Sequence, residues 1–578
     1  MKFFHVYNDW AIEGLEKNGL INSETGFKMQ HVFSVPHDMQ FNNYAKKDGK
    51  LYNFMKNGNF PFYVDRIAGG ITYYKYDYSR ENIDALRDLL GDWFLGFQLH
   101  ESSSNFAGNW TRVIGKMGGR LPPYDYDEFI SKNMSTSAVT PDGVYLPALS
   151  QETPEYFCTH EYKDKYEDFI TEVTELFQRR MAQVDGLILP CDSGHQATWI
   201  FNKLGLKCFM PEVGCQIPLM RMEVALARGM AKAYGKIWGA YYECWRSCTD
   251  ENGKQFYSMP CFNDDMSNEW YLTQETHRDD FTTFGENGGS SRLLQNRIYY
   301  YALMAGADLF SEEWGLNCSY SDMKKFTLSE YGQVKKDFIN TSLGMKGMKA
   351  TVPFAVVMPT KYSIMLPSGG GKLGNKATSY LGRMLDAADI PWFGHVTDVI
   401  SLIFCRHGEV IGNEGHTITN SRFGDVFDIV YADAPDEAFE RYEYLIDATP
   451  DSAFARAKAD KCWKILESSD IERLESDLGR LIPEVMPAYA DDLCWLVSKD
   501  ENGVRYFTIL NNEGNERSLS EGNILHREAD RTVRVTFKED VPRLDIHRTS
   551  VLAAAVEKID DRNYNVTVPA AGFAVLRY

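Results

Sequence analysis

The first 157 residues contain no cysteine, and the eleven that follow, from Cys158 to Cys494, are odd in number and include no CxxC pair. That pattern suits reduced thiols rather than a disulfide framework. The cytoplasm is therefore the expected compartment, unless an export leader has been removed from ahead of Met1. Metal motifs are also missing. Cys191, Cys215, Cys244, Cys248 and His195 fall near candidate strand ends, but without HExxH or zinc-finger spacing no metal is expected. The glycine clusters at 285–289 and 369–371 lack the GxxxxGK[ST] pattern of a phosphate-binding loop, and no cofactor is expected. Positive charge is in short supply, with 61 Lys and Arg against 81 Asp and Glu and a net charge of −20. With no polybasic run, nucleic acid and anionic membranes are excluded as partners. No run approaches the roughly twenty apolar residues that a membrane-spanning helix needs. Solenoid repeats and low-complexity tracts are absent too.

What remains is an aromatic-rich chain of 578 residues, 44% hydrophobic and 25% charged, with 33 Tyr, 34 Phe and 11 Trp. That length implies several domains. In residues 1–345, eight short apolar runs alternate with stretches of helical period. The runs begin at Lys2, Phe27, Pro61, Trp93, Gly186, Cys208, Ile237 and Asp308. Amphipathic helices are expected at 10–20, 80–90, 162–183, 197–204, 218–234, 291–305 and 330–342. Such alternation argues for parallel βα units, and eight of them close a (β/α)8 TIM barrel. The gap at 34–60 reads as the least helical. The stretch from about 102 to 160, rich in Ser, Asn, Gly, Pro and Tyr, reads as an inserted loop over one face. A smaller α/β layer domain is expected over 350–485, with strands at 352–359, 426–431 and 444–447 and a helix near 376–388. Short strands separated by turn signals over 488–578 predict a C-terminal β-sandwich.

Two of the barrel runs end in glutamate: Trp93 to Glu101 on the fourth strand, and Ile237 to Glu243 on the seventh. In a closed barrel the C-terminal strand ends meet at one face. Glycosidic bond cleavage needs one carboxyl group to protonate the leaving oxygen and another to act from the opposite side. A lone glutamate is more often an exposed surface charge; two at the ends of barrel strands four and seven form a candidate catalytic pair, Glu101 as acid/base and Glu243 as nucleophile. Other strand ends carry Asp192, Glu212, Glu312 and Glu313. His100, Asp192, Glu212, Glu313, Arg66, Trp10, Trp245 and Trp314 are candidate substrate contacts, the tryptophans because the apolar face of a pyranose packs on an aromatic ring. Trp110 is a further stacking candidate. For each polar residue a salt bridge within the mouth is an equal alternative.

This arrangement resembles the clan A retaining glycoside hydrolases, whose acid/base and nucleophile are glutamates ending barrel strands four and seven. The order of barrel, small glutamine-amidotransferase-like α/β domain and β-sandwich is similar to that of the three-domain β-galactosidases of glycoside hydrolase family 42. Only Glu101 and Glu243 carry over as catalytic. His100 stands where the clan has asparagine, no arginine occurs between Gln30 and Asp38 on the second strand, and Met210-Pro211-Glu212 stands where a tyrosine is usual. The resemblance thus implies a divergent family and leaves the sugar open. It implies a retaining double-displacement glycosidase on a small glycan or oligosaccharide. The alternatives are a lyase or transglycosidase on the same barrel, or a non-catalytic carbohydrate-binding protein. A carbohydrate is the expected partner, and association into a homo-oligomer is left open.

Overall fold

The computed structural model describes residues 1–29, 37–65, 78–100, 102–122, 159–191, 197–214, 220–243, 246–249, 255–258, 276–278, 292–313, 319–322, 324–342, 344–363, 386–405, 420–518 and 522–578. The eight apolar runs form parallel strands: β1 (Lys2–Val6), β2 (Thr25–Met29), β3 (Phe62–Val64), β4 (Phe94–His100), β5 (Ile188–Cys191), a sixth in two pieces, β6 (Cys208–Phe209) and β7 (Glu212–Gly214), then β8 (Ile237–Glu243) and β9 (Leu309–Glu313). Their hydrogen-bonded order is β5-β4-β3-β2-β1-β9-β8-β6, with β7 also pairing β8. No ladder joins β5 to β6 among the described residues, although the two lie side by side. The result is a nearly closed eight-strand barrel. The break in the sixth strand falls at Met210-Pro211. Proline has no N–H to give the ladder, and its carbonyl instead accepts from the Tyr241 N–H at 3.0 Å.

The helices cover the barrel as amphipathic patterns require. Helix α1 (Asp9–Lys17) is capped by the Asn8 side chain, which accepts from the Ala11 N–H. Helix α2 (Arg80–Leu90) is capped by Ser79 and buries Ile83, Leu86 and Leu90. The gap between β2 and β3, expected to be the least helical, contains two helices, His37–Tyr44 and Lys50–Gly58. The loop expected over about 102–160 also needs correction at its start. Residues 102–117 form helix α3 (Ser102–Met117) directly after β4. Its Phe106 and Trp110 are buried against Phe169, with Tyr162 edge-on to Trp110. Trp110 is thus a core residue and offers no face to a sugar. Residues 123–158 lie outside the described residues.

Beyond the barrel, a four-stranded parallel sheet is ordered β11-β10-β12-β13, from β10 (Phe354–Met358), β11 (Phe427–Tyr431), β12 (Tyr444–Asp447) and β13 (Ile465–Glu467). The helix expected near 376–388 falls mostly outside the described residues, and 386–389 is a turn; the helix that packs here is Ile390–Phe404, with Pro391 in its first turn. At the C-terminus two antiparallel sheets face each other. One runs 349–350, 494–499, 505–510, 573–577, 545–549, and the other 488–490, 531–537, 563–568, 555–558. Phe507 of the first meets Phe537 of the second across the sandwich core. Among the described residues no helix is long and apolar enough to cross a membrane.

Three fully buried arginines on barrel helices join these parts. Helix α4 (Met220–Tyr234) lies against β11, and Arg228 donates to Asp428 Oδ1 at 2.6 Å and to Asp425 Oδ2 at 2.9 Å. Lys232 adds a 2.6 Å bond to the other Asp428 oxygen. Burial alone would raise the Asp428 carboxyl, but Lys232 and Arg228 hold it below the usual carboxylate range. Gly229 sits where a Cβ would lie 2.3 Å from the Ile429 carbonyl oxygen, so only glycine admits this approach of helix to strand. Arg221 reaches Ser421 Oγ at 2.6 Å. On helix α5 (Arg292–Ala305), Arg297 reaches Asn512 Oδ1 at 2.9 Å in the sandwich. Removing one member of a buried ion pair costs about 3–5 kcal/mol, because the partner charge stays buried. Arg228→Ala is accordingly expected to lower unfolding free energy by about that amount in a denaturant titration. A loss below about 1 kcal/mol, the worth of a surface pair, would contradict the role assigned to this cluster.

Candidate active site

The barrel interior is apolar at its lower levels, where Phe4, Tyr63, Leu95, Leu189, Tyr241 and Leu309 form one cluster. Charge enters one level higher. Lys28 on β2 is almost wholly buried and pairs with Asp65, just past β3, at 3.4 Å. Its Nζ also donates to the Glu312 carbonyl at 2.6 Å and lies 4.9 Å from the centre of the Tyr241 ring. Below it, the Tyr63 and Ser311 hydroxyls share a 2.7 Å hydrogen bond. Sequence reasoning missed Lys28. The signal was there: a lysine flanked by Phe27 and Met29 in an apolar strand must find a buried counter-charge.

Ladder register places the acids. Glu313 on β9 pairs with Glu243 on β8, and Glu243 in turn pairs with Gly214 on β7. Glu212, buried, pairs with Tyr241, two residues before Glu243. On the far side His100, the last residue of β4, pairs with Cys191. The backbone therefore brings Glu212, Glu243 and Glu313 onto adjoining strands at the C-terminal edge. Glu101 follows His100 directly and lies outside the described residues, as do Arg66, Asp192, Trp245 and Trp314. Strand β4 reaches this edge through a bulge at Gly96, whose φ of +97° and 2.4 Å Cβ distance to the Leu187 carbonyl oxygen require glycine. Bulges re-aim the strand that carries them.

Two sequence candidates separate from this group. Glu312, although beside Glu313, is held by groups on the covering helices. Its carboxylate meets Lys335 Nζ of helix α6 (Glu330–Ser342) at 2.5 Å, and the Tyr299 hydroxyl donates to it from α5. Glu312 is thus committed to an internal ion pair. Trp10, on α1, is partly buried and stacks at a tilt on Phe326 with ring centres 5.0 Å apart. Among the described residues no group of three His, Cys, Asp or Glu side chains converges as a metal would require.

Next to Lys335 lies His5, fully buried among Phe3 and Phe27. Burial, helped by the Lys335 charge, pushes its imidazole down to about 3, against a hydrogen bond to the Leu20 carbonyl. Its Nε2 has no partner among the described residues. It borders a cavity of about 10 Å³ shared with Lys28, Glu312, Ser319 and Lys335, near the lower limit for one water molecule.

No protein-family profile matches the chain, and no curated protein matches it in sequence. Solved structures do resemble it. Alpha-L-fucosidase isoenzyme 2 from Paenibacillus thiaminolyticus aligns over 95% of this chain and 98% of its own, at 9% identity and a TM-score of 0.42. A polyextremophilic beta-galactosidase from the Antarctic haloarchaeon Halorubrum lacusprofundi aligns over 100% of this chain and 99% of its own, at 10% identity and a TM-score of 0.39. A rhamnosidase from Novosphingobium sp. PP1Y aligns over 86% of this chain and 46% of its own, at 7% identity and a TM-score of 0.33. At these scores the likeness is one of coarse shape.

The buried His5 has a consequence for stability. Its folded pKa of about 3 lies below the ordinary 6.5. Below pH 6.5 the unfolded chain therefore takes up a proton that the folded chain refuses, and stability falls as pH drops toward 3. The slope is about 1.4 kcal/mol per pH unit from this group. His5→Gln is expected to flatten the pH dependence of unfolding free energy by that slope between pH 6 and 4; parallel curves for the two proteins would contradict it.

Proposed function

We propose that this chain is a glycosidase that cleaves a small glycan or oligosaccharide with retention of configuration. The observation that carries the reading is the ladder register at the barrel's C-terminal edge, with Glu243 ending β8 between Glu313 and Gly214. A carboxylate in that position has what double displacement asks of a nucleophile in placement: a backbone held by ladder pairing on both sides, at the edge where the strands end. Glu101, one residue past β4, is the proposed acid/base. Strands four and seven of an eight-strand barrel lie across its mouth, and retaining chemistry places the two carboxyl groups about 5–5.5 Å apart.

In the proposed cycle the Glu243 carboxylate attacks the anomeric carbon while the Glu101 carboxyl protonates the departing oxygen. Glu101, now ionised, takes a proton from water, and that water displaces Glu243. Glu212, on the strand beside Glu243, would raise its neighbour's pKa by like-charge repulsion or hold a sugar hydroxyl, and Glu313 is a proposed substrate contact. His100, Asp192, Arg66, Trp245 and Trp314 remain proposed substrate contacts.

The test is turnover on a panel of aryl glycosides. Glu101→Ala and Glu243→Ala are each expected to lower kcat at least a thousandfold on the substrate that wild type accepts, with thermal unfolding unchanged. Azide should restore Glu243→Ala and yield a glycosyl azide of inverted configuration. Full activity in both variants would overturn the catalytic pair, and an unsaturated product would replace hydrolysis with a lyase reaction.

A further inference from the structure

At the opposite end of the barrel, where the strands begin, lies a second concave site of about 330 Å³. Its floor is Leu95, Leu206 and Ile237, at or beside the starts of β4, β6 and β8, and one wall is the indole of Trp93. Trp93 is 41% exposed. It occupies a single 3-10 turn between α2 and β4 and stacks on no other ring among the described residues. The exposed part of the indole and the apolar floor beside it form one surface that a flat apolar ligand face could cover favourably.

The charges around the cleft differ in kind. Lys207 and Asp92 satisfy each other at 2.9 Å on the rim. Lys236 does not have that option. It follows the end of α4 and is partly buried, its Nζ 5.3 Å from the centre of the Phe209 ring, and no carboxylate lies within ion-pair distance among the described residues. Burial lowers its pKa with no acid nearby to raise it. The C-terminal end of α4 explains a lysine at this position. It does not explain an exposed indole and an apolar hollow beside that lysine.

We propose that this cleft binds a small monoanion with one flat apolar face, the ring lying on Trp93 and the carboxylate meeting Lys236. Two kinds of molecule have that chemistry, an acidic sugar and an aromatic acid. Its volume is at the small end of ligand pockets and suits one or two rings. The site stands apart from the Glu243 edge, so it holds or fails independently of the glycosidase reading.

Calorimetric titration and ligand-observed NMR on the full chain test it, with galacturonic acid and 4-hydroxybenzoate as probes and galactose and 4-hydroxybenzyl alcohol as their neutral counterparts. At least one acid is expected to bind, at least tenfold more tightly than its neutral counterpart; which one binds tells the two sources apart. Trp93→Ala and Lys236→Gln should each weaken that binding at least tenfold without lowering Tm, and Trp93→Phe, which keeps a flat ring, should retain most of it. The proposal is overturned if neither acid binds, if the neutral probes bind as well, or if binding is indifferent to both cleft variants. It is equally overturned if the chain proves to be a dimer that Trp93→Ala dissociates, since the cleft would then be a subunit contact.

Discussion

The ion cluster at Arg228 is the constraint on which the arrangement of this molecule depends. A guanidinium held by Asp425 and Asp428 inside a continuous core ties barrel helix α4 to strand β11 of the neighbouring sheet. Such a cluster tolerates little movement, because separating the partners would leave charges buried without compensation. Gly229, one residue on, lets helix and strand approach to backbone contact. Helix α4 connects β7 to β8, the strand that ends in Glu243. Whatever fixes α4 therefore also fixes the two strands that carry Glu212 and Glu243 to the mouth.

Within the barrel, the same economy of charge recurs on a smaller scale. The interior is apolar up to the level of Tyr63 and Tyr241, and the first charged group above is Lys28, neutralised by Asp65. Glu312 is drawn the other way, to Lys335 and Tyr299 on the covering helices. Alternation along β9 thus separates neighbouring glutamates into different environments: Glu312 is spent on holding helices to the wall, and Glu313 stays in register with Glu243.

Much of the barrel was legible because most strands are short apolar runs next to stretches of helical period, and the acids at 101, 212, 243 and 313 follow such runs. The sixth strand's break could also be read, since Pro211 removes a ladder donor. Less legible were features that depend on partners far away in sequence. Arg221, Arg228 and Arg297 look like ordinary exposed positions on amphipathic helices until Ser421, Asp425, Asp428 and Asn512 are brought to them. Trp110 was misread for a related reason: a stretch rich in Ser, Asn and Gly suggested a loop, whereas burial of Phe106, Trp110 and Val113 overrides weak local propensity. Helix Ile390–Phe404 escaped because it is apolar nearly all round and gives no period to detect.

The central claim, that Glu243 becomes covalently attached to the sugar, is tested most directly by trapping. The 2-deoxy-2-fluoro derivative of whichever glycoside the protein turns over, carrying a good leaving group, should inactivate it with one equivalent per chain. Peptide mass spectrometry is expected to find the fluoroglycosyl group on Glu243. Its appearance on Glu212 or Glu313, or sustained turnover of the natural glycoside with no covalent label on any carboxylate, would contradict the account.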